Sequence, residues 1–578
     1  MIEQDPRAVL VSGGAILTGG REWNSAEALV ARDGKVVAVG TLDDMRGLAG
    51  RDSRHIDLAG ATAMPGLIDS HPHAMHFAAF QTGQVDLLDA VDHADILKRI
   101  RERAAAFPPG AWIQCTPVGE PHYFIRRWYT DLPEGRLPNR WELDQASSVH
   151  PIIITAWGPR TPNIVAMNSM ALRMVGIGSI TPDKVCDVEI EKDASGQPTG
   201  ILRGAVNNYY TLDPYWLSIQ SHFGAPPPEL WEVGGLVGQQ QMHALGVTAS
   251  YEAHAMEPEH VLAWRSIRDK GQLTMRVHCA VDYSIAVFQP HIDLSEEEQL
   301  GRLTNALTLR GGDDDMYSFE GLSYGNGGPC WPGLLRTNFS YRDPFGRKTR
   351  GHQFLSDAAE RRIIEFCLDN DIRLNVVQGG DKNQDMFFSL LAEVLNGRTV
   401  KGRGWVSQHN ILIRKKHIKK LAALGMDVTT SSSFLWGKGD LYAERIGSHI
   451  HDDQVPMKRM WDHGLTVANG TDWGPKNVFE HIALQESCRF CGSNHSVAHL
   501  PGHGLTRQQS LSGWTENGAK VMGRTDIGAL RPGMHFDMTI VDRNPLTAPL
   551  DDLPDTQVLQ TIVGGRTVHS SGGLKTLA

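Results

Sequence analysis

The chain has 578 residues, a formal net charge of -10, 41% hydrophobic residues and 21% charged residues. That balance is ordinary for a soluble globular protein with room for more than one core, and it argues against nucleic acid or an anionic membrane as the partner. The seven cysteines are dispersed and odd in number, no run of about 18 apolar residues appears, and the acidic start Met1-Ile2-Glu3-Gln4-Asp5 lacks a basic region followed by an apolar run, so a cytoplasmic protein is expected.

The first sixty residues read as short strands and turns. Ala8 to Ser12 is strand-like and is broken by Gly13-Gly14. Ala28-Leu29-Val30 leads into Asp33-Gly34, a pair that tolerates positive φ and signals a hairpin, and Lys35 to Val39 answers it. Ala61 to Asp69 is largely apolar, with a break at Pro65-Gly66, and it delivers His71 and His73. Residues i and i+2 of an extended segment point the same way, so the two imidazoles can meet at one point and begin a site for zinc, iron or a similar ion. A bare His-x-His is more often two ordinary loop histidines; the apolar strand ahead of this one favours the ligand reading.

The middle of the chain alternates strand and helix signals. Strands are predicted at 151–156, 246–251, 275–281, 372–377, 404–408, 426–430 and 465–469, and helices at 230–245, 357–370, 387–396 and 415–424. With the His71 strand this makes about eight units, and the natural closure is a distorted (β/α)8 TIM barrel whose active site lies at the C-terminal ends of its strands. Polar residues recur at those ends: Glu252 and His254 after one strand, His409 after another, Asp472 after the last. Each alone is a commonplace loop residue, but together with His71 and His73 they read as a metal centre. The C-terminal stretch returns to β texture at 537–541 and 558–563, with Gly564-Gly565 turning the chain. A small β-sandwich domain built from both termini (1–65 plus 525–578) is therefore expected beside a barrel spanning 66–524. Cys488-Arg489-Phe490-Cys491 with His495 resembles half a zinc knuckle but lacks a second cysteine pair.

In this order, the landmarks resemble the amidohydrolase superfamily over nearly the whole chain. Leu137-Pro138-Asn139-Arg140-Trp141-Glu142-Leu143-Asp144, Asn168-Ser169-Met170-Ala171-Leu172, Gly196-Gln197-Pro198-Thr199-Gly200-Ile201-Leu202 and Gly470-Thr471-Asp472-Trp473 are similar to segments of amidohydrolase family 3, a group that includes N-substituted formamide deformylases. The resemblance implies a metal-dependent hydrolase acting on carbon–nitrogen bonds other than peptide bonds, and it also exposes departures. The family's fourth strand usually carries a lysine four residues before Asp-Gly; here Asn326-Gly327 stands there and counting back gives Leu322. The fifth-strand histidine position reads Val377, a third histidine position reads Asn163, and the acidic residue usual before the sixth-strand histidine is Gln408. Glu320 and Asn375 are the nearest substitutes for the bridge and the lost histidine, and both would have to act together to rebuild a two-metal site. One divalent ion is expected instead, zinc first, with iron or manganese as alternatives, held by His71, His73 and Asp472 with His409, Glu252, His254 or Glu320.

Such an ion generates a nucleophilic water at neutral pH and polarises a carbonyl. Asp472 is the candidate to move the proton, and His409 the candidate to bind the carbonyl oxygen or the ion. Trp157, Tyr324, Phe434, Trp436 and Trp473, expected in loops at the barrel mouth, and Asn163 and Asn375 are the candidate substrate contacts, favouring a small apolar or aromatic substrate. A homodimer or higher homo-oligomer is expected. Two other readings remain open at this point: the same barrel and metal used for carbon–carbon hydrolysis, decarboxylation or isomerisation, and a scaffold without metal.

Overall fold

The structure is a computed structural model that describes residues 8–20, 22–119, 127–156, 162–206, 213–224, 226–283, 294–328, 333–436, 439–490, 493–572 and 576–577; the side chains of Glu320, Trp436, Thr576 and Leu577 lie outside the description. Eight parallel strands form the barrel: β1 (Leu67–Asp69), β2 (Val247–Glu252), β3 (Arg276–Asp282), β4 (Tyr317–Gly325), β5 (Arg373–Gln378), β6 (Val406–His409), β7 (Asp427–Thr430) and β8 (Val467–Asn469). Ladders run from β1 to β8 in that order. The seam between β8 and β1 is closed just beyond the strands: Ser70 N–H donates to the Asn469 carbonyl at 3.0 Å, and Asp472 N–H to the His71 carbonyl at 2.8 Å.

Small residues and one ring fill the barrel: Ile68, Ala249, Tyr251, Ala280, Val406 and Ala468, with Val521 and Met522 packed against them. Side chains on the opposite strand faces, such as Leu67, Cys279, Leu322, Tyr324, Leu374 and Val428, pack outward into the main helical core. Helix α1 (Ala74–Gly83) starts directly after His73, and α2 (Glu229–Ala244) packs on it. A Cβ at Gly238 would stand 2.6 Å from the Ala74 carbonyl oxygen, so glycine there sets how closely the helix behind the His71–His73 loop can be held.

The strand predicted at 151–156 does not belong to the barrel. Ile152–Ile154 lies in a separate six-stranded sheet inserted between α1 and α2, ordered Lys184–Val185, Val188–Lys192, Pro198–Gly204, Asn163–Met167, Ile152–Ile154 and Ile113–Cys115. An uninterrupted isoleucine run is equally at home in either kind of buried sheet. Its place in the barrel is taken by β4, a mixed polar and aromatic run that gives no clean strand signal.

The two termini share one sheet. Met538–Val541 pairs antiparallel with Thr62–Pro65, which pairs in turn with the second half of Val9–Leu17. An irregularity between Ser12 and Ile16 frees the first half of that strand to pair with Arg54–Asp57. Asp33 and Gly34 have φ of 50° and 71°, as the hairpin signal requires. The terminal sheet is fastened under the barrel by Arg276, whose guanidinium makes two hydrogen bonds to Asp537, at 2.7 and 3.0 Å. No helix among the described residues is long and apolar enough to cross a membrane.

Candidate metal centre

Five side chains converge where β1, β2, β6 and β8 end. The ligand atoms of His71, His73 and Asp472 lie within 4.8 Å of one another, as do those of His71, His254 and His409, and all five residues are buried. His71 Nε2 faces His409 Nε2 at 3.4 Å; His73 Nε2 is 3.3 Å from Asp472 Oδ1, and His409 Nε2 is 3.8 Å from Asp472 Oδ2. Two donors on a tetrahedral zinc ion are separated by about 3.3 Å when each bond is about 2.0–2.1 Å. The spacing therefore fits an ion.

Local backbone geometry sets this convergence. His73, His409 and Asp472 have φ of 49°, 67° and 52°, a left-handed conformation rare for residues with a Cβ. Gly470 lets the two loops touch, since a Cβ there would stand 2.5 Å from the Cβ of His71. Asp69 binds both loops, accepting from His71 N–H at 3.0 Å, Thr471 N–H at 3.2 Å and the Thr471 hydroxyl at 2.7 Å. His254 is oriented by Asp282 Oδ2, which accepts from its Nδ1 at 3.1 Å and from Ala255 N–H at 2.9 Å. That leaves His254 Nε2 buried without a hydrogen-bond partner among the described residues; the same holds for both ring nitrogens of His73. Buried polar atoms are normally satisfied, so these buried imidazole nitrogens, gathered beside the Asp472 carboxylate, fit a metal ion. Burial holds His71 and His73 well below the usual histidine range, so both rings are neutral and present lone pairs.

The surroundings are rich in ionisable groups, and those groups are buried or partly buried. Burial pushes the Glu252 carboxyl up to about 8 and the Asp69 carboxyl above its ordinary range. It also pulls the Lys476 ammonium down to about 8, against the opposing pull of Asp69, Asp472 and Glu252. Trp473 stacks on His73 with ring centroids 4.6 Å apart and planes 12° from parallel, and Phe434 lies 4.9 Å from the His409 ring.

Several predicted residues lie elsewhere. Glu252 does not face the barrel interior: its ladder partner Cys279 faces the helices, and Glu252 Oε1 accepts from Ala74 N–H at 3.1 Å, capping α1. His254 reaches the centre because β2 has ended before it. The count to Leu322 also fails as a guide to facing. The β3–β4 register shifts between Cys279 and Ala280, so Cys279 pairs with Phe319 and Ala280 with Gly321. Glu320 is the extra residue of a bulge, and Leu322 turns outward. Ser323, the register partner of Asp282 and Asn375, takes the inward place. Asn375 does not replace the lost histidine, because its amide oxygen accepts from the Tyr251 hydroxyl inside the barrel. Tyr324 is not in a mouth loop: it lies on β4, and its hydroxyl donates to Glu360 on the outer side. Asn163 lies on the inserted sheet, bonded to Ile164 N–H. Trp157 and the side chains of Glu320 and Trp436 fall outside the described residues. The Cys488 thiol is buried and accepts from Gly504 N–H, His495 pairs with Asp440, and Cys491 is outside the description.

Asp282, Asp69 and Lys476 carry roles that the sequence reading did not assign. Asp282 had a signal: it ends β3 just as Asp472 follows β8. A further acidic group, Asp315, Asp526 and His535, lies at the N-terminal ends of the strands and is already paired with Arg276 and Arg524.

Comparison with known proteins places these features in a wider set. The model of the amidohydrolase family matches residues 54–569. The chain is 24% identical over 577 residues to an N-substituted formamide deformylase of Arthrobacter pascens, covering 97% of this chain and 98% of that one. In fold it is similar to an uncharacterized metal-dependent hydrolase of Pyrococcus horikoshii OT3, with a TM-score of 0.69, 19% identity and coverage of 94% and 99%. It is also similar to a triazine hydrolase variant, with a TM-score of 0.53, 15% identity and coverage of 98% and 95%.

Proposed function

The chain belongs to the amidohydrolase family, and on that premise we propose that it is a metal-dependent hydrolase. Its substrate is a small apolar or aromatic molecule with a carbon–nitrogen bond to cleave: an amide, formamide, carbamate or cyclic amide. The observation that carries this reading is the buried convergence of four imidazoles and one carboxylate at the barrel's C-terminal face. The deformylase relative supports the bond type.

His71, His73 and Asp472, joined by His254 and His409, would hold one ion; zinc suits this nitrogen and oxygen set, and iron and manganese accept the same donors. When bound, the ion supplies an activated water at neutral pH and polarises the scissile carbonyl. Asp472 takes the proton of the attacking water and returns it to the leaving nitrogen. Trp473 N–H holds Asp472 Oδ1 at 2.8 Å, so the proton is carried on Oδ2. Asp282 keeps the Nδ1 proton on His254, which fixes the tautomer whose Nε2 is a donor. His409 either joins the ion or hydrogen-bonds the carbonyl oxygen. Trp473 and Phe434 exclude water beside it.

A second reading keeps the ion and changes the bond, to carbon–carbon hydrolysis, decarboxylation or isomerisation. The uncharged wall formed by Ser323 and Val377 favours it, because the usual bridging and fifth-strand donors are missing. The test is a chelated protein reloaded with zinc and assayed on N-substituted formamides, amides and cyclic amides beside nitrogen-free substrates. One equivalent of metal per chain, with turnover confined to carbon–nitrogen bonds, is expected. Turnover of nitrogen-free substrates alone, or activity that tracks a second equivalent of metal, would sink the proposal.

A further inference from the structure

Lys476 follows Asp472 by four residues on the loop after β8. Its side chain is partly buried, and its ammonium turns inward under both ligand-bearing loops. Nζ donates to the Pro72 carbonyl at 2.6 Å, to the Asp472 carbonyl and to the Thr471 hydroxyl at 3.2 Å. The first of these carbonyls lies between His71 and His73, and the second belongs to Asp472 itself. The lysine thus bonds the peptide group that enters His73 and the one that leaves Asp472, both left-handed residues with φ of 49° and 52°. Such conformations persist where the surroundings hold them. An ammonium offers three donors, and its hydrogen bonds are stronger than neutral ones.

The barrel seam has other fastenings: Asp69 to Thr471, Ser70 to Asn469, and Asp472 N–H to the His71 carbonyl. The lysine's bonds go instead to the peptides flanking the two donors. We propose that Lys476 is a positioning residue whose ammonium clamps the His71–His73 loop onto the Asp472 loop and so fixes the spacing of the donors supplied by β1 and β8. This rests on the reading of the site as a metal centre.

Charge and clamp predict opposite effects. A fixed cation beside a metal ion repels it, so if Lys476 acted through charge alone its removal would tighten metal binding. If it acts as a clamp, removal weakens binding despite the relieved repulsion. Lys476→Met and Lys476→Arg, made in the full-length protein, separate the two by cobalt(II) affinity in chelator competition and by the visible absorption of bound cobalt, which reports donor geometry. The clamp predicts cobalt binding about tenfold or more weaker and an altered spectrum for Lys476→Met, the size typical for loss of a group that orients a ligand. Lys476→Arg should recover part of both. Unchanged or tighter binding with an unchanged spectrum in Lys476→Met overturns the inference while leaving the metal centre intact. If Lys476→Met does not fold, Lys476→Leu, which likewise removes both the charge and every N–H donor, is read by the same two measurements and the same criteria. Wild-type protein that takes up no cobalt overturns the metal reading, and the clamp with it.

Discussion

The barrel mouth has two unlike halves. On the β1, β2, β6 and β8 side, four imidazoles and a carboxylate meet, the loops carry left-handed backbone, and Asp69, Asp282 and Lys476 brace the donors from behind. On the β4–β5 side the residues facing inward near the mouth are Ser323, Asn375 and Val377, without a charge among them; the inward-facing Arg373 stands at the opposite, N-terminal end of β5, its guanidinium over the Tyr251 ring. The difference bears on how many ions the proposed centre could hold. A second ion needs a bridging anion and donors of its own, and the strands that would supply them present a hydroxyl, an amide already bonded to Tyr251 and an isopropyl group. On the proposed function, an uncharged substrate would suit this neutral wall.

The sharpest way to break this contrast is within the donor half. His71 belongs to both groups of convergent ligand atoms, while His254 belongs to one. His71→Ala is expected to lose bound metal and to lower turnover by about a thousandfold or more, since the activated water goes with the ion. His254→Ala is expected to retain metal at reduced affinity and a measurable fraction of turnover. Elemental analysis and steady-state kinetics of both variants check this; equal losses would show that the five donors are not ranked this way.

The neutral half holds its own titratable group, on the far side of β4. Glu360 is fully buried and accepts from the Tyr324 hydroxyl at 2.8 Å and from Asn326 Nδ2 at 3.0 Å. Burial outweighs those bonds and pushes its carboxyl from 4.5 up to about 7. Between these values the folded protein keeps a proton that the unfolded chain has lost, so the contribution of Glu360 is fully present below pH 4.5 and declines as pH rises to about 7. The loss amounts to about 3 kcal/mol at 1.36 kcal/mol per unit. Glu360→Gln keeps an acceptor oxygen and removes the titration. Denaturant melts at pH 5 and pH 8 should show the wild type losing more stability across that interval than the variant; parallel changes would mean that Glu360 ionises normally.

Much of the donor half is legible in the sequence. His71, His73, His254, His409 and Asp472 each close an apolar run, and a strand's end is where a barrel places chemistry. The neutral half was harder. Counting back from Asn326 identifies the missing lysine, but facing depends on the bulge at Glu320, which no period-2 pattern announces. Glu252 was misread for a related reason. Two residues share a strand face only while the strand continues, and β2 stops at Glu252, leaving it on the helix side and His254 free to turn inward. The isoleucines at 152–154 misled because a buried strand looks alike in either sheet. Asp282 escaped because the predicted strand ended one residue short of it. Lys476 had no signal: its partners are backbone carbonyls of loops that only the closed barrel brings together.

The smallest expected effect sharpens the comparison most finely. Asp282 lies behind His254: its carboxylate accepts from His254 Nδ1 and from Ala255 N–H, and Ala255 is itself left-handed with φ of 57°. A carboxylate there does two things. It keeps the histidine proton on Nδ1, so that Nε2 is the donor, and it raises the basicity of that ring. Asn at this position preserves size and one acceptor oxygen but offers an N–H where the other oxygen was, so the ring loses its anionic partner and part of its fixed orientation. Asp282→Asn should weaken zinc affinity by roughly ten- to a hundredfold. Ser323→Ala, at the register partner of Asp282 on the neutral side, should leave zinc affinity within about twofold, because no donor depends on it. Competition titrations on the two variants decide the matter. If both lose affinity alike, the boundary between the two halves does not lie between β3 and β4, and the hydroxyl of Ser323 belongs to the metal centre after all.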